Sequence, residues 1–193
     1  MSQREGIDKL RIEAAVREIL LAIGEDPDRE GLQRTPARIA DAYDELFAGL
    51  REEPRDHLKA TFDEGHKEMV VLRDIPFASL CEHHLLPFTG VAHIGYIPRG
   101  RIVGLSKLAR LVEGYARRPQ VQERLTSEIA DALMAELAPD GCGVIIDAVH
   151  TCMTIRGVEK PGASMVTSAM RGGFRGRPET RAEFMAIVHR GRA

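Results

Sequence analysis

The sequence predicts an α+β fold, on three observations. The apolar period is helical at both ends of the chain, it changes to strand-like runs in the middle, and two strand pairs are separated by a helix pair. The predicted order is helix, helix, strand, strand, helix, helix, strand, strand, helix. That order fits an antiparallel sheet with its helices on one face.

The elements follow from the N-terminus. Ile7, Leu10, Ala14, Ile19, Leu20 and Ile23 form an apolar stripe stopped by Gly24. Glu25–Gly31 reads as a turn. Thr35 is a suitable N-cap and Pro36 suits the first helical position, after which Ile39, Tyr43, Leu46, Phe47 and Leu50 share a face. The charges and Pro54 between Leu50 and Gly65 predict a loop. Met69–Leu72, Ile75–Ala78 and Phe88–Ile97 read as strands, the last closed by Pro98-Arg99-Gly100. Ser106 then reads as the N-cap of a helix with Leu108, Leu111, Val112 and Tyr115 on one side. Pro119 reads as the start of a second, carrying Val121, Leu125, Ile129, Leu133 and Leu137. Val144–Ile155 is expected to be one long strand, paired with Met165–Met170 through a turn at Pro161-Gly162. Pro178 opens a final helix bearing Phe184 and Val188.

Composition excludes several function classes. A net charge of -2 argues against the broad basic footprint of a nucleic-acid binder, and 5% aromatics without Trp offer no base-stacking platform. Met1–Glu5 is polar, unlike a secretory leader, and the longest early apolar run, Ile19–Ile23, is too short to span a bilayer. Three cysteines, an odd and low number, point to a reducing compartment and to metal or thiol chemistry. These features predict a cytoplasmic protein with no nucleic-acid or membrane partner.

Cys81-Glu82-His83-His84 lies between two strands, and Cys152 lies in His150-Thr151-Cys152. Two thiolates and an imidazole would make a Cys₂His site with a fourth tetrahedral position left for water, the pattern of catalytic zinc. Soft sulfur ligands favour zinc over magnesium or calcium. Spacing alone leaves a second reading open, in which the cysteines are small buried hydrophobes. Along a continuous strand His150, Cys152, Thr154 and Arg156 would share one face, opposite Ile145, Val149, Met153 and Ile155.

Gly104-Leu105-Ser106-Lys107 opens a helix, and helix N-termini attract phosphates. Lys107 and Arg110 put cations near that end, where the helix dipole disfavours them, so an anion would offset the misfit. A solvated Lys and Arg is the alternative. Gln122 and Glu123 fall in the first turn of the next helix. Glu123 suits the dipole there, and it could equally accept paired hydrogen bonds from the N1–H and 2-amino group of a guanine.

Four blocks together carry a resemblance. Cys81–Phe88, Gly104–Arg110, Pro119–Leu125 and His150–Gly157 resemble, in order, the signature blocks of the GTP cyclohydrolase I family, with likeness from about Thr35 to Ile187. The resemblance implies the tunnelling fold, with a four-stranded antiparallel sheet and helices on one face. It implies an N-terminal helical extension over 1–65 and a catalytic domain over 66–193. It also implies a decamer of two pentamers with active sites between subunits. By position, Cys81, His84 and Cys152 would hold Zn²⁺, and His83 and His150 would transfer protons. Gln122 and Glu123 would hold the guanine, and Ser106, Lys107, Arg110 and Arg156 the triphosphate. The implied reaction converts GTP and water to 7,8-dihydroneopterin triphosphate and formate, the first step of pterin and folate biosynthesis. Two other readings remain. One is the nitrile reductase of the same fold, which uses a cysteine nucleophile and a nicotinamide. The other is a non-catalytic zinc-stabilised nucleotide-binding module with a fourth protein ligand such as His83.

Overall fold

The computed structural model describes residues 6–190; the polar start Met1–Glu5 lies outside them. Helices α1 (Lys9–Ala22) and α2 (Thr35–Leu46) are followed by two 3-10 helices, Ala48–Arg51 and Pro54–Lys59. Strands β1 (Thr61–His66), β2 (Val70–Cys81), β3 (Pro87–Ile97) and β4 (Gly100–Val103) lead into α3 (Leu105–Ala116). Then come β5 (Pro119–Gln120), α4 (Gln122–Leu137), β6 (Gly141–His150), a single turn α5 (Thr151–Thr154) and β7 (Met165–Gly172). A single turn α6 (Gly173–Gly176) and the helix α7 (Pro178–His189) close the described chain.

The main sheet runs β5-β2-β3-β6-β7. Its four long strands are antiparallel, as expected, and β5 adds a short parallel edge on Leu80–Cys81. The stripes of α3 and α4 explain why they lie on this sheet. Leu108, Leu111, Val112 and Tyr115 on one helix, and Leu125, Ile129 and Leu133 on the other, are all buried against Ala92, Ile94, Val144 and Ile146. Alternation turns Ile145 to the opposite face, where Phe174 and Phe184 of α6 and α7 cover it. Gly95 and Gly143 allow that close approach: a Cβ at either would sit 2.7–2.8 Å from the Phe184 ring.

Several local expectations give way to tertiary contacts. The loop expected over Leu50–Gly65 contains the second 3-10 helix and β1, because Leu58 is fully buried under α3 and α4 and because Thr61–His66 pairs with β4. Residue 65, the expected division between extension and catalytic part, therefore falls inside a strand. Thr35 is helical and the cap is Arg34; Ser106 likewise lies in the first turn of α3, capped by Gly104. Pro119 pairs with β2 rather than starting α4, a use of proline open to a short edge strand. The expected long strand ends at His150, and Thr151–Thr154 is helical. Cys152, Thr154 and Arg156 thus do not continue the face of His150.

The stripe expected on α1 is mostly unburied: Leu10, Ile19 and Ile23 are exposed, and Val16 is the buried residue of that helix. No helix among the described residues is long and apolar enough to cross a membrane.

The glycine contact gives a stability prediction. Gly95→Val should lower the chemical-denaturation free energy by about 1–3 kcal/mol, the usual cost of overpacking a dense core. An unchanged midpoint would show that Phe184 does not seal this face.

Candidate metal and proton-transfer site

Sheet register collects the site at one end. Leu80 pairs with Pro87 at the end of the β2–β3 hairpin, and Phe88 pairs with His150 across β3 and β6. The hairpin turn is tight: Cys81 N donates to Leu86 O at 2.9 Å and Leu85 N to Cys81 O at 2.8 Å, with Leu85 in the left-handed region at φ 52°. On the other side, α5 turns the chain back, and Thr151 Oγ1 donates to Pro87 O at 2.6 Å. That turn aims Cys152 at Cys81.

The ligand atoms of Cys81, His84 and Cys152 all lie within 4.8 Å of one another. Cys81 Sγ is 3.9 Å from His84 Nδ1. Zinc bond lengths of about 2.3 Å to sulfur and 2.0–2.1 Å to nitrogen place tetrahedral S and N ligands about 3.6 Å apart, so this donor set fits zinc. The electrostatics agree. Burial pushes the Cys152 thiol up, and the adjacent Cys81 sulfur pushes it further. Two sulfurs that resist sharing negative charge are what a divalent cation relieves. His83 stands outside this group: its ring is largely exposed, with Nδ1 3.9 Å from Cys81 Sγ. Cys142 is elsewhere, fully buried, its thiol pushed up to about 12 by burial.

His150 stacks on Phe88 with ring centroids 4.5 Å apart and planes 3° apart. Its Nε2 lies 2.8 Å from Gln122 Oε1. The Gln122 amide orientation is fixed from behind, because its Nε2 donates to Met165 O at 2.8 Å and to Ile146 O and Thr167 Oγ1 at 3.1 Å. The oxygen must therefore face His150, which donates from Nε2 and keeps Nδ1 as its basic atom. Burial lowers the His150 pKa, with Glu123 pulling it up in part. The imidazole is thus neutral near pH 7 and able to accept a proton. Gln122, expected against a purine, is 1% exposed, and its amide is engaged within the protein. Glu123 lies near enough to act on His150 electrostatically, at the start of α4.

Arg156 Nη1 donates to His84 Nε2 at 3.0 Å, so this cation also borders the metal ligands. Ser106, Lys107 and Arg110 do not. The start of α3 lies with Val70 and Tyr96, at the far end of the sheet. Ala116, the last residue of α3, is the one that reaches Ser79, near Cys81. Val70 and Cys81 are separated by roughly 35 Å of strand. Arg110 lines a cavity of about 380 Å³ with Arg51, His57, Glu113 and Arg117.

Over residues 12–189 the chain matches the family model for GTP cyclohydrolase I. It is 64% identical over 185 residues to GTP cyclohydrolase 1 of Thermobifida fusca, covering 95% of this chain and 89% of that one. The chain belongs to the GTP cyclohydrolase I family. It is 61% identical to GTP cyclohydrolase 1 of Carboxydothermus hydrogenoformans, over 94% of this chain and 95% of the relative. A crystal structure of the archaeosine synthase QueF-Like in the apo form has a TM-score of 0.46 at 20% identity, over 54% of this chain and 94% of that one. Membership confirms the family resemblance and sets aside the nitrile reductase reading. The expected α+β architecture is the one observed, four antiparallel strands with α3 and α4 on one face, and α6 and α7 add a cover on the other.

Sequence reasoning missed the Phe88 stack and the Gln122 network. The only signal for either was proximity: Phe88 follows the Cys81–Pro87 block, and Gln122 adjoins Glu123. Removing one sulfur tests the ligand set. Cys152→Ala should bind less than one zinc per chain by elemental measurement after dialysis, whereas Cys142→Ala should bind as wild type does.

Proposed function

We propose that the chain is a cytoplasmic, zinc-dependent hydrolase that converts GTP and water to 7,8-dihydroneopterin triphosphate and formate. The observation that carries this is the convergence of Cys81, His84 and Cys152 beside a half-buried, neutral His150. Membership of the GTP cyclohydrolase I family and the names of its close relatives supply the substrate.

Zn²⁺ held by Cys81, His84 and Cys152 would supply Lewis acidity for hydrolysis at the purine C8. The chain's own groups do the rest. Gln122 fixes His150 in the tautomer with Nδ1 free, and that atom takes up and returns a proton as the imidazole ring opens. His83, exposed beside Cys81, serves the later proton transfers. Glu123 accepts from the guanine N1–H and 2-amino group, and bases lacking those donors would leave its charge unpaired. Gln122 contributes to the base site through His150 and the helix start that carries Glu123.

Arg156 holds the triphosphate from the metal side. If His84 coordinates through Nδ1, its Nε2 must carry the proton. Arg156 has no acceptor, so it would lose its contact with that atom and become available to an anion. Ser106, Lys107 and Arg110 hold the triphosphate from a neighbouring subunit. The start of α3, which carries Ser106 and Lys107, lies beside Val70 and Tyr96 rather than beside Cys81, and this supports the reading. A homodecamer of two pentamers with sites between subunits satisfies that separation. The helical extension, residues 1–65, and the catalytic domain, 66–193, are proposed as its organisation.

Two experiments test the reading. His150→Ala should retain zinc but release formate at least about a hundredfold more slowly, as loss of a general acid–base group does; normal formate release would remove His150 from the mechanism. Lys107→Ala should weaken GTP binding far more than guanosine binding by calorimetry, and equal losses would contradict a triphosphate role.

A further inference from the structure

Arg124 sits in the first turn of α4, where the helix dipole disfavours a cation. Its guanidinium is paired with the carboxylate of Glu82, inside the metal hairpin turn. The same residue makes a second tie to the same corner: Glu82 N donates to Gln120 O at 2.9 Å. The other Glu82 carboxylate oxygen lies 3.9 Å from His83 Nε2. Glu82 therefore follows one proposed metal ligand, precedes a proposed proton-transfer residue, and is bound to the neighbour of Glu123.

The geometry points to Glu82 and Arg124 as a positioning pair that locks the metal hairpin onto the start of α4. The bonds inside the hairpin fix its shape but not its angle to α4. Backbone pairing ties the base of the hairpin to β5, at Leu80–Pro119, Cys81–Gln120 and Glu82 N–Gln120 O, all on residues that precede α4. The ion pair is the tie from the hairpin turn to α4 itself, and it holds the turn that carries the metal ligands against the first turn of that helix. Its anion also offsets the misplaced cation at the helix start. Neither residue touches substrate or metal, so both act through others. This inference rests on the zinc hydrolase reading.

The pair is substantially solvent-exposed, at 42% and 33%, so it adds little to global stability and its removal should not unfold the chain. The test compares wild type, E82Q, R124Q and the double variant as zinc-loaded full-length enzymes. It reads kcat and KM for GTP, zinc affinity by chelator competition, and the melting midpoint. Each single variant should lose kcat or zinc affinity about tenfold, as loss of groups that orient metal ligands does. KM and the melting midpoint should stay near wild type. The double variant should also lose about tenfold, not the roughly hundredfold of independent effects. Wild-type kcat and zinc affinity in the single variants, or multiplied losses in the double, would overturn the pairing. A wild type that binds no zinc would instead overturn the zinc reading, and the pairing with it.

Discussion

The register between β2, β3 and β6 is the constraint on which the site depends. Leu80 opposite Pro87 and Phe88 opposite His150 put two distant stretches of chain at one end of one sheet. Side chains alternate along a strand, so a slip of one residue would turn His150 away from Phe88 and Gln122. The register is held by burial. Phe88, Ala92, Ile94 and Tyr96 alternate onto the helix-facing side of β3, each at most 1% exposed. Losing that alternation would expose all four at once. The apolar core under α3 and α4 thus fixes the position of polar groups that it does not contain.

Local electrostatics then decide what the collected groups can do. Burial and the neighbouring Cys81 sulfur raise the resistance of Cys152 to ionisation, a state that a bound cation reverses. Beside them His150 is kept neutral by burial and held in one tautomer by Gln122, whose amide is anchored on two strands. A fixed tautomer with one basic nitrogen is preorganised for proton transfer. The cost is a glutamine fully committed to the protein, which explains why it is buried at the first turn of a helix rather than turned toward solvent.

Much of this was legible in the sequence, for physical reasons. The stripes of α3 and α4 are legible because both helices bury one face against a sheet within the same chain. The three sulfur and imidazole ligands are legible as a donor set, although spacing alone left them as possible core residues. The turn at Thr151–Thr154 was not legible, since its residues favour strands and the turn is fixed by Thr151 bonding to a distant Pro87. The pairing of Pro119 with β2 was hidden in the same way. The stripe on α1 was read correctly as helical, but periodicity does not say what covers it, and Leu10 and Ile23 stay exposed. Sequence order also placed Lys107 and Cys152 in one functional set without revealing that Lys107 lies at the end of α3 away from Ser79 and Cys81.

The central claim is that two sulfurs and one imidazole hold an ion whose fourth position is not a protein group. Zinc-edge X-ray absorption of the loaded enzyme tests it most directly. The account predicts two Zn–S distances of about 2.3 Å and two lighter ligands at about 2.0–2.1 Å, one of them exchangeable with added anions. A spectrum insensitive to anions and fitted by two imidazoles would mean that His83 closes the site, and it would contradict a catalytic centre.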